Sequence, residues 1–156
     1  MCIIIDTCCL AKVFDPQNEH HADFAPILRW ITEGSGRMIY GGTKYKAELA
    51  RATKYLGIIA ELRKVRRAIQ LSAQEVDEIG QRLKQQITDP RFNDEHLVAL
   101  VIVSRCRLVC TNDNVAIYYL KLPACYSGHP VKRPKIYRSR RNVDLCCDRY
   151  LAEVCR

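Results

Sequence analysis

The stretch NDEHLVALVIVSRCRLVCTND, residues 93–113, holds one full step of the fold. Asn93 suits a helix N-cap, and Leu97, Leu100, Val101 and Ser104 then fall on one helical face. RLVCT (107–111) reads as a strand, and it runs into an acid, Asp113. The rest of the chain repeats this alternation. Residues 2–5 form an apolar strand that ends on Asp6 in IIIDT (3–7). HADFAPILRWIT (21–32) places Phe24, Ile27, Leu28 and Ile31 on one helical face. GRMIYGG (36–42) is a strand between glycines. From Thr43 the pattern is helical again, with Tyr45, Leu49, Ala52 and Leu56 sharing a face, followed by a second stretch through Ile58, Ile59, Leu62 and Val65. AIQL (68–71) is a further strand. Ser72 with Glu75 makes a capping box for a helix that turns Val76, Ile79, Leu83 and Ile87 inward. DPRFN (89–93) is a turn, DNVAIYYL (113–120) is helical, and KIY (135–137) is a last strand.

Strands alternating with helices imply an α/β sandwich with a mainly parallel sheet of about five strands. No linker, repeat or low-complexity tract divides the chain. Residues 1–156 are therefore expected to form a single domain, with a basic tail over 121–156. In open sheets of this kind, ligands gather beyond the C-terminal strand ends. Asp6 and Asp113 both stand at such ends. Asp94 opens the helix that leads to Asp113, where a helix N-terminus favours negative charge, and Glu48 lies at the edge of a buried helical face. Each acid has an ordinary structural use: Asp6 and Asp113 as caps, Asp94 as a helix-start charge, Glu48 as a partner of Lys44 or Arg51. Taken together they supply one acid per α/β step. Clustered carboxylates need cations to neutralise them. Hard oxygen ligands suit Mg²⁺ or Mn²⁺, which can activate water and neutralise a phosphodiester.

IIIDT, GGTKYKAEL (41–49) and NDEHLVALVIVSRCRLVCTND together resemble the PIN-domain ribonucleases, a family that includes the VapC-type toxins. The resemblance covers most of residues 1–120, and its late segment is the most specific part. It implies a PIN-like α/β/α sandwich and a divalent-metal-dependent endoribonuclease, with Asp6, Glu48, Asp94 and Asp113 as the metal-binding and catalytic quartet. Thr7, Thr111 and Asn112 would order that quartet. Many family members carry Asn after the first acid, where this chain has Thr7. Glu95 competes with Asp94 for the third place, and the spacing to Leu97 favours Asp94. By the same resemblance the chain would be the toxin of a toxin–antitoxin pair, with a protein antitoxin and a homodimer as partners. The alternative is a PIN-like module that binds RNA or protein without cleaving.

The net charge is +8. HPVKRPKIYRSRR (129–141) holds six cations and no acid, and LRKVRR (62–67) holds four more. Such patches mark a polyanion binder, although a solvated surface or an acidic protein partner would look alike. Lys44, Lys46, Arg138, Arg140 and Arg141 are the residues expected to guide RNA. Apolar residues make up 48% of the chain, which excludes a disordered polymer. The longest apolar run is interrupted by Ser104, Arg105 and Arg107 and is too short to cross a bilayer. No basic leader opens the chain, so a cytoplasmic setting without membrane association is expected. The nine cysteines form no Cys-x-x-Cys pair. They are expected to be free and to act as small buried hydrophobes.

Three other chemistries fail on the residues. A haloacid-dehalogenase-like phosphotransferase needs a second acid where Cys8 stands. A dinucleotide binder needs a glycine-rich turn after its first strand, and TCCLAKV (7–13) has none. A cysteine nucleophile needs a partnered histidine, whereas His20 and His21 fall in a loop or helix start. His96 faces the Asp94 helix start, where it could meet a substrate phosphate, and is otherwise expected to be a surface or N-terminal-turn histidine.

Overall fold

The computed structural model describes residues 2–147 and 152–155. Five strands, β1 (Cys2–Ile5), β2 (Arg37–Gly41), β3 (Ala68–Leu71), β4 (Leu108–Cys110) and β5 (Lys135–Tyr137), form one sheet in the order β3-β2-β1-β4-β5. Every pairing is parallel, with Ile3 opposite Met38, Ile4 opposite Val109, Ile39 opposite Ile69 and Val109 opposite Ile136. The helices are α1 (Leu10–Phe14), α2 (His21–Thr32), α3 (Thr43–Arg51), α4 (Thr53–Lys64), α5 (Ala73–Gln86), α6 (Glu95–Ser104) and α7 (Asn114–Lys121). They flank the sheet in an α/β/α sandwich.

All four residues of β1 are fully buried. Alternate side chains of a strand point to opposite faces, so this strand is covered on both sides, as its unbroken apolar run requires. The chain steps from β1 through β2 to β3 on one side, then returns to place β4 on the other side of β1. The sheet therefore reverses direction between β1 and β4, and a crevice opens beyond their C-terminal ends. The helix α6 packs against α5 and reaches β1, β2 and β3. It is buried all round, from Glu95 to Ile102, which identifies a central helix rather than an amphipathic surface one.

Several local expectations are corrected. The cap position of α6 belongs to Asp94, not Asn93. The helical pattern from Thr43 breaks at Ala52, where φ −107° and ψ 57° leave the helical region. Tyr45 and Leu49 are buried, but Leu56 lies beyond the break and is 40% exposed, and Val65 lies past the end of α4 and is 65% exposed. The short helix α1 was not foreseen. The basic stretch after Lys121 supplies the expected strand β5 and the fully buried Tyr137, whose hydroxyl donates to the Asp23 carbonyl.

The cysteines are also not all free. Cys2 and Cys155 form a disulfide across 153 residues of sequence. The other seven are thiols, of which Cys9, Cys106, Cys110 and Cys125 are buried as expected. No helix among the described residues is long and apolar enough to cross a membrane.

Candidate functional site

Asp6 directly follows β1, and its backbone N–H still donates to the Cys110 carbonyl of β4 at 2.9 Å. This locks the first acid to the crevice between the two strands. Its carboxylate is 6% exposed. Oδ2 accepts from the Thr111 hydroxyl at 2.6 Å and from the Cys8 thiol at 3.2 Å, while Oδ1 takes a long bond from the Cys8 N–H at 3.4 Å. Asp6 thus caps the turn Thr7–Cys9 and faces the crevice as well. Thr111 is fully buried and also accepts from the Asp113 N–H at 3.1 Å. One hydroxyl therefore ties the acids after β1 and β4 together. Asp113 is exposed and caps α7, with Oδ1 accepting from the Val115 and Ala116 N–H groups.

Glu48 arrives from α3. Its Oε2 accepts from the Thr7 hydroxyl at 2.7 Å, so the residue after Asp6 orients the second acid. Neither Arg51 nor Lys44 takes this role. The other neighbour is His96, with Nε2 at 3.6 Å from Oε2, an electrostatic contact rather than a hydrogen bond. His96 beside it and the Thr7 hydroxyl hold the Glu48 carboxyl below its usual range. His96 is 5% exposed, not on the surface, and neither ring nitrogen has a hydrogen-bond partner. Tyr45 packs against it with ring centroids 6.4 Å apart and donates to the Ile5 carbonyl at 2.6 Å, bracing the end of β1.

Asp94 is half-buried at the N-cap position of α6, yet its side chain makes no capping bond. Burial raises its proton affinity, and the negative charges of Asp6 and Asp113 raise it further against the opposing pull of His96 and Lys44. It faces the cluster unneutralised. Glu95, the adjacent acid, is instead ion-paired with Lys44 at 3.1 Å and Lys84 at 3.5 Å.

The expected RNA-guiding cations do not share one place. Lys44 is held by Glu95 and by the Asn93 carbonyl. Lys46 opens on a groove with Tyr40, Leu56 and Arg63. Arg138 donates to the Asn114 side chain at 3.1 Å, next to Asp113. Arg140 and Arg141 are exposed in the turn Arg140–Leu145, and the Arg140 N–H donates to Asp23. Asn112, with its amide turned to suit its neighbours, accepts from Lys12 and donates to the Arg138 carbonyl. Lys12 and Arg138 therefore flank the Asp113 side of the mouth. Sequence reasoning missed Lys12 entirely and misplaced His96. The apolar run after His96 was the one available signal of its burial.

Cys8 and Cys9 lie beside Asp6 at the same strand end. Their mutual hydrogen bonding, burial and the nearby Asp6 push the Cys8 thiol far above its usual range, and Cys9 is pushed up by Cys110 and burial. The donor set of the mouth is hard oxygen, and one member is half-buried without a hydrogen-bond donor. That fits a hard divalent cation in chemistry. Among the described residues no three His, Cys, Asp or Glu side chains already converge tightly enough to hold an ion. No protein-family model, curated protein or solved structure gives a significant match to the chain.

Proposed function

We propose that this chain is a PIN-type endoribonuclease that cleaves RNA phosphodiester bonds with Mg²⁺ or Mn²⁺ held by Asp6, Glu48, Asp94 and Asp113. One observation carries the reading. Asp94 is half-buried and unpaired, and it faces the charges of Asp6 and Asp113 at the point where the sheet reverses. A bound cation would offset such repulsion, which proton uptake by Asp94 otherwise relieves. When bound, the metal supplies water activation and neutralises phosphate charge. The chain's own residues do the positioning. Thr111 aims Asp6, Thr7 aims Glu48, and the α7 N–H groups fix one oxygen of Asp113 and leave the other without a backbone donor from α7. Lys12 and Arg138 on the rim offset the charge of an incoming phosphate.

On this reading the cytoplasm is the working compartment. The Cys2–Cys155 bridge, buried at both ends, is shielded there from reducing thiols. A role as the toxin of a toxin–antitoxin pair, with a protein antitoxin covering the mouth, and a homodimer belong to the same proposal. A second reading, a PIN-like module that binds RNA or protein without cleaving, draws on the spread of the four acids, no three of which converge.

Manganese calorimetry on the wild type and on Asp6→Asn, Asp94→Asn and Asp113→Asn tests the two. Binding that all three variants lose, together with RNA cleavage lost in parallel, is the expected result. RNA binding without manganese uptake or cleavage would favour the module.

A further inference from the structure

A cleft of about 600 Å³ lies at the other end of the sheet from the carboxylates. Its lining includes Arg107, just before β4, and Lys135, at the start of β5, with the Lys135 N–H donating to the Arg107 carbonyl at 2.7 Å. Lys121, Lys132 and Arg133 complete the cationic wall, and Tyr126 adds an aromatic face. Among the described residues no acid lines the cleft. Lys121 donates to the Pro134 carbonyl and Arg133 to the Lys121 carbonyl, so both cations rest on neutral oxygens. None of Lys121, Lys132, Arg133 and Lys135 forms an ion pair among the described residues. Burial and the charges of Lys135 and Arg133 make Lys121 easier to deprotonate, the response of a cation lacking a counter-charge.

The ligand's chemistry follows from the wall: several oxyanions, spaced to meet separate cations. Its identity follows from the edge strand. β5 carries Lys135 at the cleft end, and Arg138 follows it at the carboxylate end, beside Asn114 and Asp113. Three strand steps separate them, roughly 10 Å. A phosphodiester chain leaving the acid mouth past Arg138 would run along this edge into the cleft.

We infer that the cleft lined by Lys121, Lys132, Arg133 and Lys135 is a second phosphate-binding site for single-stranded RNA, gripping the strand away from the scissile bond. The inference rests on the RNA reading above, but not on cleavage. It makes the basic stretch two devices: Arg138 serves the acid mouth, and Lys132, Arg133 and Lys135 serve the remote grip.

The test is fluorescence anisotropy with a labelled single-stranded RNA, in chelator, over a range of salt. Lys132→Glu/Lys135→Glu is compared with Arg29→Glu/Arg82→Glu, which changes net charge equally at exposed positions of α2 and α5. Removing two phosphate contacts should flatten the slope of log K against log salt by about 1.4. It should also weaken binding at least tenfold at low salt, with the α2/α5 variant close to wild type. Equal losses in both double variants, or no loss in the first, would overturn the site. If the reversal unfolds the protein, Lys132→Gln/Lys135→Gln provides the same comparison. Pyrophosphate that competes with RNA on the wild type but not on the glutamine variant would add support. Manganese calorimetry on the cleft variant should match wild type, which separates failure here from failure of the carboxylate reading.

Discussion

The Thr111 hydroxyl donates to Asp6 and accepts from the Asp113 N–H. Thr111→Val keeps the shape and removes both bonds, leaving a buried carboxylate short of a donor. A cost of about 1–3 kcal/mol is expected, read from urea unfolding. An unchanged midpoint would mean that Asp6 is satisfied by Cys8 alone. Asp94 and Glu48 make opposite statements about pH. Folding raises the proton affinity of Asp94, so its stabilising contribution is complete below the unfolded pKa and is lost as pH rises through the folded one. Folding lowers that of Glu48, so its contribution is present above the unfolded pKa and is lost as pH falls through the folded one. In chelator, over about pH 3 to pH 7, Asp94→Asn should therefore gain on wild type as pH rises above the ordinary value of 3.8, and the deficit of Glu48→Gln should shrink as pH falls below the ordinary value of 4.5. Parallel melting curves across that range would remove the argument for charge crowding. Asp6, Asp94 and Asp113 could be located because strand ends and helix starts are marked in sequence, and Glu48 because Tyr45 and Leu49 mark the buried face beside it. His96 and Lys12 were not, because what they touch depends on α3 and on Asn112, which reach them only through the fold.

At the scale of elements, the turn from β2 to α3 decides where Glu48 points. Gly42 sits there at φ +78°, and a Cβ would stand 2.6 Å from the Val76 side chain. Gly42→Ala should cost about 1–3 kcal/mol from backbone strain and should also weaken manganese binding by tilting α3. Melting temperature and calorimetry measured together check both parts. Ser72 caps α5 through the Glu75 N–H, as the capping box required, and Ser72→Ala should cost about 1 kcal/mol without touching metal binding. All five strands were readable from apolar runs between turn residues. The break at Ala52 was not, because the apolar spacing continues across it. The cap expected at Asn93 falls one residue later for a related reason: Asn and Asp both suit that position. Asp94 occupies the cap position with its side chain turned to the cluster.

For the whole molecule, the parallel order β3-β2-β1-β4-β5 brings the first and last described segments together, and the disulfide fixes them there. No spacing rule could have paired cysteines so far apart in sequence, because only the finished topology makes them neighbours. Reduction, or Cys155→Ser, should lower stability by up to about 5 kcal/mol, since the closed loop is long. Urea midpoints with and without reductant measure it, and coincident curves would show that the bridge does not form in solution. The bridge has a mechanical side too. Tension applied through residues flanking it would travel across the sulfur–sulfur link and bypass the sheet, so the strands between would bear no load. A single backbone nick in a surface loop would open this ring without releasing a fragment, and the two pieces would stay tethered at the central strand until a reductant separated them.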